Sequence, residues 1–270
     1  MIDTHAHLQM PDFSEDWPEM LERADQAGIE YIIVIGFDIE SSRRAITLAE
    51  QNEKLLASVG VHPHDASSLD DDLDELRQLA HHPKVVAIGE TGLDFYRNLS
   101  SREDQFKAFR SQLDLADELR LPVIIHDRDA HESAVEVLEE RAKSLVGGVM
   151  HCFSGDAGLA EQVLNWGFHI SVAGPLTYPN AEALRSTVKQ VPIERIVIET
   201  DAPYLTPQPK RGKRNESAFV RFVAEELARI KGLSLDDIDR ITTINAKRLF
   251  RLSMNENADS VAHPMRDSAA

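Results

Sequence analysis

Hydrophobic and polar positions follow a regular long-range order along the chain. Short apolar runs alternate with longer stretches in which apolar residues recur every three or four positions. A short continuous apolar run is typical of a parallel strand that is covered on both faces, and the three-to-four spacing is typical of an amphipathic helix. The runs predict strands at residues 1–4, 31–35, 55–59, 85–88, 123–125, 148–150, 169–172 and 196–198.

Amphipathic stretches lie between and after these strands. They predict helices at residues 17–27, 39–51, 69–80, 102–119, 130–141, 157–166, 181–188, 217–231 and 235–250. Eight strand-then-helix units in about 230 residues predict an α/β fold of the (β/α)8 TIM barrel type, and a doubly wound sheet is the alternative. We expect residues 1–252 to form a single domain, and the polar, aperiodic residues 253–270 to form a disordered C-terminal tail.

Candidate metal ligands stand at the ends of the predicted strands. His5 and His7 end the first strand, and because side chains alternate along an extended chain, both imidazoles point to the same side. A His-x-His pair alone is a weak signal. It gains weight because further candidate ligands follow the fourth, fifth, sixth and eighth strands, namely Glu90, His126, His151 and Asp201.

The predicted fold brings these six side chains together. In a barrel the carboxyl ends of all strands surround one mouth, where the active sites of this fold lie. Four imidazoles and two carboxylates there predict a site for divalent metal. Six ligands exceed one four-coordinate site, and a carboxylate can bridge two ions. The predicted assignment gives His5, His7 and Asp201 to one ion, His126 and His151 to a second, and Glu90 to both.

Catalytic roles are predicted for the two carboxylates. Two metal ions bridged by Glu90 would activate water and stabilise the charge that develops on a phosphoryl group. Asp201, at the same ions, is the predicted general base. The predicted catalytic residues are therefore Asp201 and Glu90.

Substrate contacts are predicted at two other places around the mouth. His62 follows the third strand, and residues 210–215 form a basic loop after the eighth strand in an otherwise acidic chain. Basic side chains near a metal site are typical of phosphate recognition, although a solvated surface loop has the same composition. The predicted substrate-binding residues are His62, Arg211, Arg214 and Asn215.

Aromatic residues of the mouth loops leave two roles open. Phe95, Tyr96 and Tyr204 follow the fourth and eighth strands. Aromatic rings in such loops can stack on nucleic-acid bases, or they can simply pack the loops.

Composition narrows the class of protein. Hydrophobic content of 42% and charged content of 28% are typical of soluble globular proteins, and we expect neither a membrane partner nor a secretory signal. The net charge of −17 argues against electrostatic coating of nucleic acid, but bound metal can still hold a phosphate. The single cysteine, Cys152, excludes an intrachain disulfide and predicts a cytoplasmic protein.

A set of ordered motifs spans almost the whole chain. They lie at residues 2–8, 60–64, 89–96, 122–126, 151–155, 199–205, 211–216 and 245–250. Together they resemble the TatD family of metal-dependent deoxyribonucleases, of the amidohydrolase-like superfamily. The resemblance implies a (β/α)8 barrel, two divalent ions on the six ligands above, and 3′-to-5′ exonuclease activity on single-stranded DNA, with roles in DNA repair. Mg2+ is the ion implied for activity, with Zn2+ or Mn2+ as alternatives.

The chain departs from the family pattern beside the basic loop. The usual glutamate-proline reads Glu216-Ser217 here, and residues 219–223 also differ. These positions lie near the predicted substrate loop and not among the predicted metal ligands. Substrate preference is therefore the property most open to change.

Two other functions are compatible with the same residues. One is hydrolysis of an amide, lactone or aminoacyl ester on the same metal barrel. Many such barrels bridge their ions with a carboxylated lysine on the fourth strand, where this chain has Glu90. The other is a non-catalytic binding protein, for which six converging polar ligands serve no purpose. The sequence leaves the oligomeric state, the physiological metal and the pathway open.

Overall fold

The strands form one closed barrel. The computed structural model describes residues 1–253, except the side chains of residues 70 and 71. Across these residues, eight parallel strands pair in chain order: β1 (Ile2–Ala6), β2 (Tyr31–Ile35), β3 (Leu55–Val59), β4 (Val85–Asp94), β5 (Val123–Arg128), β6 (Gly148–Met150), β7 (His169–Val172) and β8 (Ile196–Ile198). The barrel closes where Ala6 pairs with Ala202 and the Thr4 hydroxyl donates to the Ile198 carbonyl at 3.1 Å. The predicted TIM barrel is confirmed, and residues 254–270 of the predicted tail lie outside the described residues.

Helices surround the barrel at nearly the predicted positions. They are α1 (Trp17–Gln26), α2 (Ile39–Gln51), α3 (Leu69–Ala80), α4 (Arg102–Leu119), α5 (His131–Arg141), α6 (Ala157–Asn165), α7 (Glu182–Gln190), α8 (Val220–Lys231) and α9 (Leu235–Leu249). The largest difference is at α8, because Ser217–Phe219 forms a separate 3-10 turn before it. Within residues 1–253, no helix is both long and apolar enough to cross a membrane.

Polar side chains set where several helices begin. Asp38 accepts a hydrogen bond from the Ser41 amide at the start of α2, and Ser101 accepts one from the Asp104 amide at the start of α4. Such caps satisfy backbone donors that have no partner inside the helix. The βα connections are thereby fixed, and these connections form the mouth of the barrel.

The inside of the barrel is apolar at its amino-terminal end. Inward side chains such as Ile33, Ile124 and Val197 form a buried cluster that includes Ala246 and Leu249 of α9. Helix α9 therefore closes this end of the barrel. Polar inward side chains are left to the opposite end, at the carboxyl ends of the strands.

Three strands extend further than predicted. β4 continues to Asp94 because Gly92 pairs with His126 and Asp94 pairs with Arg128 on β5. The predicted boundaries were wrong at the carboxyl ends of β1, β4 and β5. As a result, His5, Glu90 and His126 lie inside strands and not after them, so regular pairing holds their backbone in place.

His169 makes the stability of the barrel dependent on pH. It begins β7, is 8% exposed, and its Nδ1 atom has no hydrogen-bond partner. Burial, together with the charge of Arg195, lowers its pKa from 6.5 to about 4. Because the unfolded chain takes up this proton near pH 6.5 and the folded chain does so only near pH 4, stability is lost as the pH falls through that window.

We expect the free energy of unfolding to fall by about 2.5 kcal/mol more in the wild-type protein than in His169→Gln between about pH 7.5 and about pH 4.5. Urea unfolding at the two pH values measures the difference. His82→Gln, at a partly exposed histidine, is the matched control and should follow the wild type. Equal pH dependence of the wild-type and His169→Gln proteins would contradict the expectation.

Candidate metal centre

Side chains from β1, β4 and the end of β8 meet at the mouth. The Nε2 atoms of His5 and His7 are 3.2 Å apart. Asp201 Oδ1 lies 3.6 Å from the first and 3.4 Å from the second, and Glu90 Oε2 lies 3.4 and 3.8 Å from them. We call these four side chains the first donor group. Donor atoms that share a four-coordinate ion lie about 3.3 Å apart, so the first donor group fits a divalent metal.

A second cluster surrounds the other oxygen of Glu90. Glu90 Oε1 lies 2.8 Å from His126 Nδ1, 3.3 Å from His151 Nε2 and 3.6 Å from His62 Nε2. We call Glu90, His126, His151 and His62 the second donor group. His62 was predicted as a substrate contact. The structure places it, 8% exposed, against Glu90 within this group.

Glu90 is charged in spite of its burial. Burial alone raises the pKa of a carboxyl group, but the charges of His151, His62 and His5 outweigh it and hold the pKa of Glu90 well below its usual range. The centre is thus built around one buried carboxylate whose two oxygens face different sets of imidazoles.

Backbone hydrogen bonds fix the first donor group where the barrel closes. The Asp201 amide donates to the His5 carbonyl at 2.9 Å, and the His7 amide donates to the Ala202 carbonyl at 2.7 Å. Asp201 itself has a φ of 57°, a left-handed conformation that turns the chain directly after β8. The two histidines of β1 and the aspartate after β8 are therefore held by the same closure.

Further carboxylates orient the imidazoles from behind. Glu199 Oε1 lies 2.9 Å from His151 Nδ1, and Asp94 Oδ2 lies 3.2 Å from His126 Nε2. In each case the opposite ring nitrogen faces Glu90. A carboxylate that accepts from the far nitrogen fixes the tautomer and the direction of a metal-binding histidine.

Glu199 and Asp94 were not predicted from the sequence, and neither was the contact of His64 Nε2 with Asp94 Oδ2 at 2.9 Å. A signal was present, because residues two apart on a strand share a face. Asp94 is on the same face of β4 as Glu90, and Glu199 precedes Asp201 by two positions.

Glu199→Gln should weaken metal binding by about 10- to 100-fold, because the amide no longer orients His151 as an anionic acceptor. Calorimetric titration of chelator-stripped protein with Zn2+ measures the change. Glu194→Gln, an exposed site just before β8, is the matched control. Unchanged affinity in Glu199→Gln would show that its carboxylate does not support His151.

The basic loop after β8 is bound to the rest of the protein by two of its predicted substrate residues. Arg214 pairs with the Asp16 carboxylate at 2.7 and 2.8 Å. Asn215 is 0% exposed, and its amide donates to the carbonyls of Thr200 at 2.8 Å and Tyr204 at 2.6 Å. Asn215 thus holds the chain on both sides of Asp201, and a direct contact of its side chain with substrate requires the loop to open.

Arg211 lies on the outer side of the same loop. Its Nη1 atom is 3.0 Å from the Tyr178 hydroxyl, and its guanidinium carbon is 4.7 Å from the centroid of that ring. The side chain is exposed. Among the three predicted substrate residues of this loop, Arg211 is the most exposed.

Comparison with known proteins identifies relatives across nearly the whole chain. The family model of TatD-related DNases matches residues 2–251. A Bacillus subtilis protein named as an uncharacterised metal-dependent hydrolase, YabD, is 44% identical over 94% of this chain and 100% of its own length. A protein named 3′-5′ ssDNA/RNA exonuclease TatD, from Erwinia amylovora, is 38% identical over 93% of this chain and 100% of its own length.

Solved structures agree with the barrel. The structure of YjjV, a TatD homologue from Escherichia coli K12, superposes with a TM-score of 0.88 at 34% identity and covers 94% of this chain and 98% of its own. A mutant of the organophosphorus hydrolase from Deinococcus radiodurans superposes with a TM-score of 0.62 at 13% identity, covering 92% of each chain, and supports the fold alone.

Proposed function

The chain belongs to the family of TatD-related DNases and is a metal-dependent hydrolase, and from that premise we propose that it cleaves nucleotides from the 3′ ends of single-stranded DNA with two divalent ions. The resemblance in the sequence motifs and the printed names of relatives such as the Erwinia exonuclease support this activity. The proposal concerns the substrate, the direction of digestion and the number of ions.

The arrangement around Glu90 is the observation that carries the proposal. Its Oε2 atom faces His5 and His7, and its Oε1 atom faces His126 and His151. A carboxylate with a separate donor set on each oxygen is the arrangement that a bridging ligand requires. We assign His5, His7, Glu90 and Asp201 to one ion, and Glu90, His126 and His151 to the other.

Divalent ions bound there would supply Lewis-acid activation of the phosphodiester and of the attacking water. The donor set suits more than one ion, because two carboxylates favour Mg2+ and four imidazoles favour Zn2+. Mn2+ accepts both kinds of ligand.

Asp201 is the residue that we assign as general base. Its side chain is 13% exposed, whereas those of His5, His7 and Glu90 are 0, 7 and 4% exposed, so it reaches furthest toward the open mouth. Burial raises its pKa, but the hydrogen bond from His7 and the neighbouring imidazole charges lower it further, and the net pKa is below the usual value. Asp201 is therefore ionised at neutral pH and able to accept a proton.

RNA is a second candidate substrate. The relatives from Erwinia amylovora and Salmonella typhimurium are named 3′-5′ ssDNA/RNA exonucleases, at 38 and 36% identity. Because these names include both DNA and RNA, RNA is tested as a substrate in the same assay as DNA.

Amide or ester hydrolysis with a lysine-bridged pair of ions is less well supported by the structure. Lys84 is the lysine next to β4, and its Nζ atom donates to the carbonyls of Asn52 and Leu55 at 3.2 Å each. These contacts lie at the amino-terminal end of the barrel, away from the mouth. Glu90 occupies the bridging position instead.

The test is degradation of end-labelled oligonucleotides by chelator-stripped protein after addition of Mg2+, Mn2+ or Zn2+. Single-stranded DNA, duplex DNA and RNA are labelled at the 3′ end in one reaction and at the 5′ end in another, with His126→Ala in parallel. We expect immediate loss of the 3′ label from single-stranded DNA, dependent on metal and absent in His126→Ala. Metal uptake without cleavage of any strand would contradict the proposal and favour the amide and ester hydrolases.

We also propose that the enzyme acts in the cytoplasm, since a single cysteine in 270 residues is typical of proteins from a reducing compartment. A role in the processing or repair of DNA ends rests on the family resemblance.

A further inference from the structure

Exposed apolar side chains are concentrated at the mouth. Among the described residues, the large hydrophobic side chains that are exposed are Tyr96 at 62%, Leu99 at 66%, Tyr204 at 50% and Leu233 at 38%. The first three belong to loops that follow β4 and β8, whereas Leu233 is in the turn between α8 and α9, at the opposite end of the barrel. Apolar surface gathered at one place on a soluble protein marks a site of interaction.

Tyr204 is a rigid exposed ring beside the metal centre. Its ring centroid lies 6.2 Å from that of His7 in the first donor group. Its amide donates to the Asp201 carbonyl at 2.8 Å, and its carbonyl accepts from the Asn215 amide at 2.6 Å. The backbone of Tyr204 is therefore held on both sides while half of its side chain remains open to solvent.

Tyr96 forms a second platform together with Arg128. The guanidinium carbon of Arg128, the last residue of β5, lies 4.1 Å from the centroid of the Tyr96 ring, and both side chains are exposed. Neighbouring Phe95 has a different role: it is partly buried, its ring is 6.2 Å from that of Phe106, and it packs the loop. The structure thus separates the stacking candidate Tyr96 from the packing residue Phe95.

The two platforms belong to loops that follow strands on opposite sides of the barrel. The strands follow one another in order around the closed barrel, so β8, which precedes Tyr204, is across from β4, which precedes Tyr96. Glu90, on β4, belongs to the metal centre, and Tyr204 stands beside His7 of the same centre.

We propose that Tyr204 and the Tyr96–Arg128 pair are two base-stacking platforms, which hold unpaired bases on either side of the phosphodiester at the metal centre. The proposal rests on the proposed nuclease function and names the part of the substrate that is recognised. Each platform offers the flat face of a tyrosine ring, and stacking on such a face accepts any base whose own face is free. Bases inside a duplex are already stacked, and the platforms therefore select single strands.

The test is the coupling between each tyrosine and one base of the substrate. Single-stranded oligonucleotides are made intact or with one abasic nucleotide at each of the positions next to the cleaved bond. They are digested by the wild-type protein, Tyr204→Leu and Tyr96→Leu. The fall in kcat/KM caused by each leucine substitution should be about 5- to 150-fold larger on the intact strand than on the strand that lacks the base at that platform.

Matched variants separate stacking from general apolar contact and from folding. Tyr204→Phe keeps the ring and should restore most of the coupling. Leu233→Ala removes an exposed hydrophobic side chain far from the mouth. This variant should digest intact and abasic strands as the wild-type protein does. Quenching of 2-aminopurine fluorescence in a labelled strand reports stacking without any need for hydrolysis.

The possible failures are distinguishable. A wild-type protein that takes up metal and cuts no strand contradicts the proposed function. A wild-type protein that cuts intact strands, with variants that lose equal activity on intact and abasic strands, contradicts the platforms and leaves the nuclease function in place.

Discussion

Glu90→Gln should lower metal-dependent hydrolysis by about 10³-fold or more, since the metal chemistry that it supports is worth several kcal/mol of the activation barrier. Glutamine has nearly the same shape as glutamate but no charge. It can offer one carbonyl oxygen to one donor group, while its amide nitrogen faces the imidazoles of the other. If Glu90 bridges two ions as proposed, the number of bound ions per chain, measured by elemental analysis, should fall from two to one or fewer.

An exposed site supplies the control for this substitution. Glu139, in α5, is exposed, and Glu139→Gln makes the same chemical change far from the centre. It should retain wild-type hydrolysis and metal content. Circular dichroism of Glu90→Gln tests that the barrel is still folded. Wild-type turnover by folded Glu90→Gln would rule out Glu90 as the shared ligand.

Gly92→Ala should strongly destabilise the barrel next to the metal centre. Gly92 has a φ of 141°, and a Cβ atom there would lie 2.0 Å from the carbonyl oxygen of His126, its partner on β5. The strained backbone alone costs about 1–3 kcal/mol. The overlap is with backbone atoms, so it can be relieved only by separation of β4 from β5. We expect a loss of about 3 kcal/mol or more in the free energy of unfolding.

Two measurements follow the effect of Gly92→Ala on stability and on the site. Urea unfolding gives the loss of stability, and metal titration should show weaker binding because β5 carries His126. Gly158→Ala adds a methyl group in the first turn of α6, where the nearest atom is the helix-capping carboxylate oxygen of Asp156 at 3.3 Å, and its stability should stay within about 1 kcal/mol of the wild type. A stable Gly92→Ala protein with normal metal affinity would show that the two strands can move apart at little cost.

The order of strands and helices was predictable because it depends on local patterns. Continuous apolar runs such as β2 are buried almost throughout, and their spacing is enough to indicate a barrel. The end of β4 was not predictable in the same way. Gly89 and Gly92 gave the stretch the composition of a turn, whereas pairing with β5 keeps it in the sheet. Long-range pairing of this kind leaves no periodic signal in one strand.

His5, His7, His126 and His151 could be singled out among the 11 histidines of the chain because each of them stood at a predicted strand end. The supporting carboxylates were harder to find, since the chain has 46 aspartate and glutamate residues and an acidic residue carries little information by itself. Glu199 and Asp94 become visible only when the face of each strand is known.

The accessibility of the cations in the basic loop could not be predicted from sequence for a different reason. Arg214 has the composition of a phosphate ligand, yet its partner Asp16 is 198 residues away in sequence. No local pattern relates the two positions. The fold decides which cations of residues 210–215 remain accessible and which bind the loop to the barrel.

Closure of the barrel between β1 and β8 also sets when the enzyme becomes competent during its own synthesis. Asp3 accepts hydrogen bonds from Thr200, 197 residues later in the chain, at 2.9 and 2.7 Å. A ribosome adds about 5–20 residues per second, so His5 and His7 are made roughly 10–40 seconds before Asp201. Throughout that interval the growing chain lacks part of its first donor group. A nascent chain that still lacks Asp201 therefore cannot assemble the complete metal centre, and the first donor group is complete only when the last strand joins the first.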